Sequence, residues 1–237
     1  MSSETVSADE IARFDALAAA WWDPNGPMRP LHRMNPARID WIVGRIERRF
    51  PDRSRIRVLD LGCGAGIASE ALARAGFDVL GVDAAPEAIR AGRLHAQDLL
   101  DLRLRYRVGL AEDLRTEGEH FDVITALEVI EHVPDPAAFI RVLRDLLAPS
   151  GLMFLSTLNR TPESFAAAKL GAEYLLRWLP VGTHDWRKFI TPAELAGLLR
   201  DAGLFVADSA GLSVDPRRGG WHTSRNLRVG YLVQAKG

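Results

Sequence analysis

Between Val58 and Gly66 the chain reads Val-Leu-Asp-Leu-Gly-Cys-Gly-Ala-Gly, a short apolar run that enters a glycine turn without a break. A run of this length bounded by glycines reads as a buried strand, and the residues from Ala65 to Ala75 follow it with the spacing of an amphipathic helix. Strand, glycine turn and helix in immediate succession belong to a parallel sheet wound with helices on both faces. In such a sheet the turn opens onto the ligand crevice at the carboxyl ends of the strands. Glycine suits that turn because a Cβ would hold a ligand away from the backbone, and because tight turns use positive φ.

The same alternation runs to the end of the chain. Strands are expected at Arg57–Leu61, Asp78–Val82, Arg105–Val108, Phe121–Ala126, Gly151–Thr157, Phe205–Leu212 and Val229–Ala235. Helices are expected at Ala65–Ala75, Pro86–Leu100, Pro136–Leu147 and Pro192–Ala202, each bounded by Gly or Pro. Only Asp215 to Arg225 separates the last two strands, too little for a crossover helix, so they should pair antiparallel at an edge. The expected fold is therefore α/β: a doubly wound, seven-stranded, mostly parallel sheet with an antiparallel edge strand.

Upstream, Ile11, Phe14, Leu17 and Trp21 mark a helix over Glu10–Trp22, stopped by Asp23-Pro24-Asn25-Gly26-Pro27. A second helix is expected after Asn35, with Pro36 in its first turn and Ile39, Ile42, Val43 and Ile46 on one face. The two form an N-terminal cap, residues 1–50, on a domain spanning 51–237. One segment departs from the rhythm: Asn159–Lys188 is longer than an ordinary connection and reads as a functional insertion.

Bulk properties exclude several classes. The 237 residues suffice for one domain with a full core. Thirty basic against 31 acidic residues leave a net charge of -1, so no global field draws the chain to nucleic acid. No apolar stretch approaches the roughly 18 residues of a spanning helix. Met1–Glu10, with Glu4, Asp9 and Glu10, matches neither a secretory signal nor a transit peptide. Cys63 is the only cysteine, so neither an intramolecular disulfide nor a thiolate zinc site is expected, in keeping with a reducing, cytoplasmic address.

The ligand of the glycine turn follows from what stands beside it. A dinucleotide fingerprint would need glycine at position 67, where this chain has Ile67. Asp60 suits a cationic amino group next to the turn, and Asp83, closing the second strand, is placed to accept both hydroxyls of a ribose. Nicotinamide enzymes use such an acid too, so Asp83 alone does not discriminate. Together, the Asp60–Gly66 turn with Gly62 and Gly64, the Asp83 acid and the Ala111-Glu112-Asp113 turn resemble class I methyltransferases. That resemblance implies S-adenosyl-L-methionine as methyl donor and S-adenosyl-L-homocysteine as product, with the acid at Glu112–Asp113 accepting from the adenine amine. Methyl transfer is a direct displacement, so Cys63 reads as a small residue in a tight turn rather than a nucleophile.

At the end of the fourth strand stand Glu128, Glu131 and His132, where the substrate of such a fold sits. On a helical turn over Leu127–His132, Glu128 would share a side with the other two. Two carboxylates and an imidazole would then suit one hard divalent cation, which lowers the pKa of a bound phenolic hydroxyl. Without a metal, Glu131 or His132 is the candidate general base. The plain alternative is a solvated turn in which His132 orients the helix at Pro136.

Several further stretches are more specific. Ile11-Ala12-Arg13-Phe14 through Trp21-Trp22-Asp23, Pro30 to Arg38, the Gly62 turn, Glu128 to Pro136, Ser156 to Arg160, Gly171 to Tyr174 and Gly182 to Asp185 resemble the ubiquinone-biosynthesis O-methyltransferases. The resemblance covers nearly the whole chain from about Ile11. It implies methylation of a ring hydroxyl on a polyprenyl benzenediol (catechol) and on demethylubiquinol, with other enzymes of ubiquinone biosynthesis as candidate partners. It also implies Arg38, Gly62, Asp83 and Leu127 as donor-binding residues. Glu128, Glu131 and His132 match a divalent-metal site, candidate ion Mg2+, of eukaryotic relatives. Ala65 stands where some relatives carry another glycine.

A polyprenyl acceptor lives in the bilayer, so the enzyme must approach a surface it does not span. The insertion mixes Phe165, Leu170, Tyr174, Leu175, Leu176, Trp178 and Leu179 with Lys169 and Arg177, and Arg187 and Lys188 follow. That mixture suits peripheral contact with an anionic membrane, on the inner face of the plasma membrane. A lid packed on the core is the alternative. His184-Asp185 reads as a surface pair. Trp21, Trp22, His32 and Arg33 either pack the cap or close over the ligands. Two other functions stay open: methylation of a different small hydroxyaromatic, and a membrane-bound scaffold without chemistry.

Overall fold

The computed structural model describes residues 8–166, 186–215 and 220–237. The insertion residues 167–185, and with them Gly171–Tyr174, Trp178 and His184-Asp185, lie outside the described residues, as do 1–7 and 216–219.

The chain opens with α1 (Ala8–Leu17), a 3-10 turn at Ala18–Ala20, and α2 (Arg29–Arg49). From there strand and helix alternate: β1 (Arg57–Leu61), α3 (Ile67–Arg74), β2 (Asp78–Asp83), α4 (Pro86–Ala96), β3 (Leu104–Val108), α5 (Ala111–Thr116), β4 (Phe121–Leu127), α6 (Pro136–Leu146) and β5 (Leu147–Leu158). After the short α7 (Pro162–Phe165) come α8 (Pro192–Asp201), β6 (Phe205–Asp215), β7 (Gly220–Ser224) and β8 (Gly230–Lys236). The strand order is β3-β2-β1-β4-β5-β8-β6-β7. β1 to β5 run parallel, β8 is antiparallel to both β5 and β6, and β7 is antiparallel to β6.

The expected doubly wound, mostly parallel α/β sheet is present, and its last two expected strands pair antiparallel. Three details differ. The sheet has eight strands among the described residues, because Gly220–Ser224 forms a hairpin with β6 where the sequence marks only a connection. Gly-Trp-His-Thr-Ser carries no apolar alternation, and β7 exists because β6 offers it an unpaired edge. Ala111–Thr116 is a helix rather than a turn, capped by the Asp113 carboxylate on the backbone N–H of Leu110 at 2.8 Å. α2 starts seven residues before Pro36. Pro30 takes the first-turn position, and Pro36 sits inside the helix between Met34 and Asn35 on one side and Arg38 and Ile39 on the other, all buried. Tertiary packing carries the helix through a residue that would break it in isolation.

Each face of the sheet buries its own apolar layer. On one face Phe139, Leu143 and Leu146 of α6 and Leu195 and Leu199 of α8 close over Leu59, Ile124 and Leu155. On the other, Trp41, Ile42 and Ile46 of α2 join Leu72 of α3, Phe77, Val58 and Phe154. The N-terminal cap is thus rooted in the main core, and Arg45 ties it to β6 through Asp208. No helix among the described residues is long and apolar enough to cross a membrane.

Candidate active site

The carboxyl ends of β1, β2, β4 and β5 meet α1 and α2 over one cavity of about 610 Å³. Its walls include Arg38, Asp60, Gly62, Gly64, Asp83, Leu127, Glu128, Glu131 and His132, so most of the residues singled out by sequence share it.

The glycine turn is tight enough to explain its composition. Gly62 and Gly64 have φ of +70° and +56°. A Cβ on Gly62 would lie 2.5 Å from Val129 Cγ2, and one on Gly64 would lie 2.1 Å from the Trp21 ring. The turn is therefore clamped between the loop after β4 and the cap. Asp83 braces it from the next strand: its Oδ2 accepts from Gly64 N at 2.7 Å and its Oδ1 from Ala85 N at 2.9 Å. Burial raises the pKa of Asp83, and these two backbone donors oppose the rise.

Asp60 is held inside the sheet end, accepting from Ser69 Oγ at 2.6 Å and Thr125 Oγ1 at 2.7 Å. Burial raises its pKa against those hydrogen bonds and against Arg38. Arg38 is itself buried, donates to Asn35 Oδ1 at 3.0 Å, and has its pKa lowered by burial while Glu128 and Asp60 oppose that. Its Nε is buried with no hydrogen-bond partner among the described residues. An orphaned cationic donor on the wall of a cavity is an anchor for an anionic or polar ligand group. The Cys63 thiol is pushed well above its ordinary pKa, chiefly by burial and then by Asp83 and Asp60, which removes it as a nucleophile.

Beyond β4 the expected helical turn does not form. Glu128 has φ +58°, a left-handed conformation, and α6 begins only at Pro136 behind an Asp135 cap. Ser156 Oγ donates to Glu128 Oε1 at 2.7 Å, Thr157 Oγ1 donates to Glu131 Oε2 at 2.9 Å, and the His132 ring stands edge-on to Phe14. Each acid is committed to a different hydroxyl of β5. Among the described residues no three His, Cys, Asp or Glu side chains are grouped so as to hold a metal ion, and the helical turn on which Glu128 would share a side with Glu131 and His132 is absent. Glu131, buried and next to Glu128, has its pKa pushed up to about 7, with His132 and Thr157 opposing.

The adenine-side expectation also shifts. Gly109, Leu110 and Ala111 line the cavity and Glu112 is not among its walls, while Asp113 is occupied in capping α5. Sequence reading named Ser156 and Thr157 only within the Ser156–Arg160 stretch and gave them no role, although two hydroxyls interrupting the apolar β5 run are a signal in themselves. It also missed Met28, Met34 and Trp221, which reach the cavity only through tertiary packing.

Comparison with known proteins places this geometry. A family model described as a methyltransferase domain matches residues 33–208. A ubiquinone biosynthesis O-methyltransferase of Cereibacter sphaeroides is 49% identical, the match covering 98% of this chain and 97% of that protein. The chain belongs to the ubiquinone biosynthesis O-methyltransferase family. A family member from Azorhizobium caulinodans is 48% identical over 99% of this chain and 95% of its own length. The fold is shared more widely. The magnesium protoporphyrin IX methyltransferase of Synechocystis matches with a TM-score of 0.61 at 22% identity, covering 84% of this chain and 81% of its own. The plantazolicin methyltransferase matches at 0.66 and 17% identity, covering 97% of each chain. In this family member, then, the glycine turn, Asp83 and the β4 acids stand around one cavity.

Proposed function

We propose that the protein transfers a methyl group from S-adenosyl-L-methionine to a ring hydroxyl of a polyprenyl benzenediol or demethylubiquinol. The observation that carries this reading is the single cavity that joins the glycine turn and Asp83 to Glu128, Glu131 and His132. The residues present suit the donor. Gly62 and Gly64 line the cavity, Asp83 offers carboxylate lone pairs at the end of β2, and the orphaned Nε of Arg38 beside Asp60 and Glu128 suits the zwitterionic amino-acid end. When bound, the donor supplies an electrophilic methyl on its sulfonium.

The protein's own part is to orient the acceptor oxygen and to take its proton. Glu131 is the candidate base, because burial and Glu128 keep its carboxyl a far better proton acceptor than an ordinary glutamate. Ser156 and Thr157 hold the two acids in place. Alignment of the reacting atoms supplies most of the acceleration, as befits a donor that is already reactive.

The test is methyl transfer to a demethylated ubiquinol, run with and without a chelator. Turnover on the quinol that survives chelation is expected from the separate hydroxyl partners of the two acids. No transfer to prenylated quinol or catechol, with transfer to another hydroxyaromatic, would replace the acceptor assignment. Peripheral membrane contact through 159–188 belongs to the same proposal, supported by the residue mixture of that segment. It is checked by flotation of the full chain with anionic vesicles.

A further inference from the structure

Past Ser156 the cavity continues over a strip of sheet that carries no acid. Ser156 and Leu158 lie two residues apart on β5 and so point to one face. Leu158 is opposite Gly230 of β8, Gly230 is opposite Leu212 of β6, and two residues farther along β6 Val214 is opposite Trp221 of β7. Residues directly opposite share a face. Leu158, Gly230, Leu212, Val214 and Trp221 therefore form one continuous path from the Glu128 anchor to the sheet edge, three strand spacings or about 14 Å wide. All five line the cavity, and the indole N–H is the only polar side-chain group among them.

Gly230 is the telling member. It is the first residue of β8 and buried, has no positive φ, and a Cβ there would meet Leu158 Cδ2 at 3.7 Å and Leu212 Cβ at 3.9 Å, ordinary contacts. Nothing in the fold requires glycine at this point. Gly211, on the neighbouring strand, is different: a Cβ there would lie 1.7 Å from the Asn226 carbonyl oxygen. A strand glycine without a packing reason leaves a notch in the sheet surface, one of the settings in which a ligand can lie close. The notch sits between two leucines and leads outward to Val214, which is 52% exposed and marks the opening. Met34 of α2 and Leu212 belong to one apolar cluster, and Trp221 packs against that cluster.

We propose that this path is the channel for the isoprenoid tail of the acceptor, with Gly230 as the position that admits the tail and the β6–β7 hairpin, through Val214 and Trp221, as its outer wall. The proposal rests on the function proposed above. Its chemistry is that of an apolar trough, joined at one end to the acids that would face the ring hydroxyl and open at the exposed Val214. A tail laid along it loses apolar surface to water and meets one polar side-chain group, the Trp221 indole N–H.

The experiment compares kcat/KM for a farnesyl-substituted catechol and for catechol itself in the wild type, Gly230→Leu and Trp221→Ala. S-adenosylhomocysteine affinity is measured by calorimetry in each. Gly230→Leu fills the notch and should lower kcat/KM for the farnesylated substrate at least about tenfold more than for catechol, the scale on which an apolar pocket discriminates. Trp221→Ala should shift the same ratio in the same direction with less effect. Equal losses on both substrates, or no loss on either, overturn the channel. If Gly230→Leu loses product affinity through misfolding, the ratio in Trp221→Ala decides. A wild type that methylates catechol but no prenylated form would sink the acceptor assignment itself, a result distinct from a wild type that uses both while the variants leave the ratio unmoved.

Discussion

Glu131 is 5% exposed within the loop that follows β4, with Thr157 donating to it and Glu128 nearby. Burial first, and the neighbouring carboxylate second, push its pKa from 4.5 up to about 7. The folded protein therefore holds a proton that the unfolded chain releases between those two values. The group's stabilising share is fully present below pH 4.5, falls as pH rises toward 7, and is lost above it. Activity runs the other way, because a base must be ionised. In the wild type kcat/KM should climb through pH 7 or thereabouts, whereas Glu131→Gln should lose that limb and about a hundredfold or more in rate. An unchanged pH profile in the variant would remove Glu131 from this role. The acids were legible in the sequence because charged residues at a strand's carboxyl end stand out. Their partners Ser156 and Thr157 lie 28 and 26 residues downstream, in register only once β5 lies beside β4.

Among the elements, α2 does most to join cap, sheet and cavity. Trp41, 6% exposed, stands edge-on to Phe154 of β5 with ring centroids 5.9 Å apart, and the Arg45 guanidinium lies 3.6 Å above its ring. Arg45 in turn reaches Asp208 on β6 at 2.5 Å. Trp41→Ala should cost about 3–5 kcal/mol, the usual loss for a large aromatic removed from a core. A denaturant titration reads it, and a midpoint close to that of the wild type would mean that the helix is held elsewhere. The apolar face Ile39, Ile42 and Ile46 could be read from spacing alone. The helix start could not, since local preference at Pro36 argues for a boundary that tertiary packing overrides.

For the whole molecule, the cap shares one apolar layer with α3 and the sheet, so cap and domain should unfold together. A calorimetric scan should show one transition. S-adenosylhomocysteine at about a hundred times its Kd should raise it by roughly 5–11 °C, from about 2.7 kcal/mol of linkage on a chain of this size. Two separated transitions would contradict the shared core, and an unmoved midpoint would contradict the donor site. At this scale the parallel winding was plain from the alternation of strand and helix, because hydrophobic periodicity is set by which face each element buries.

What the amino-acid order determined by itself was the local part: the strand that ends in Gly62, the acid at Asp83, the charged loop after β4 and the layered α/β class. Each depends on residues close together in the chain. The tertiary structure alone decided how distant residues meet. It gave Glu128 a left-handed turn instead of a helix, paired each acid with its own hydroxyl, added β7 to an open sheet edge and set Gly230 beside Leu158 and Leu212. Those outcomes rest on strand register and on packing between segments far apart in sequence, for which no local pattern carries a signal.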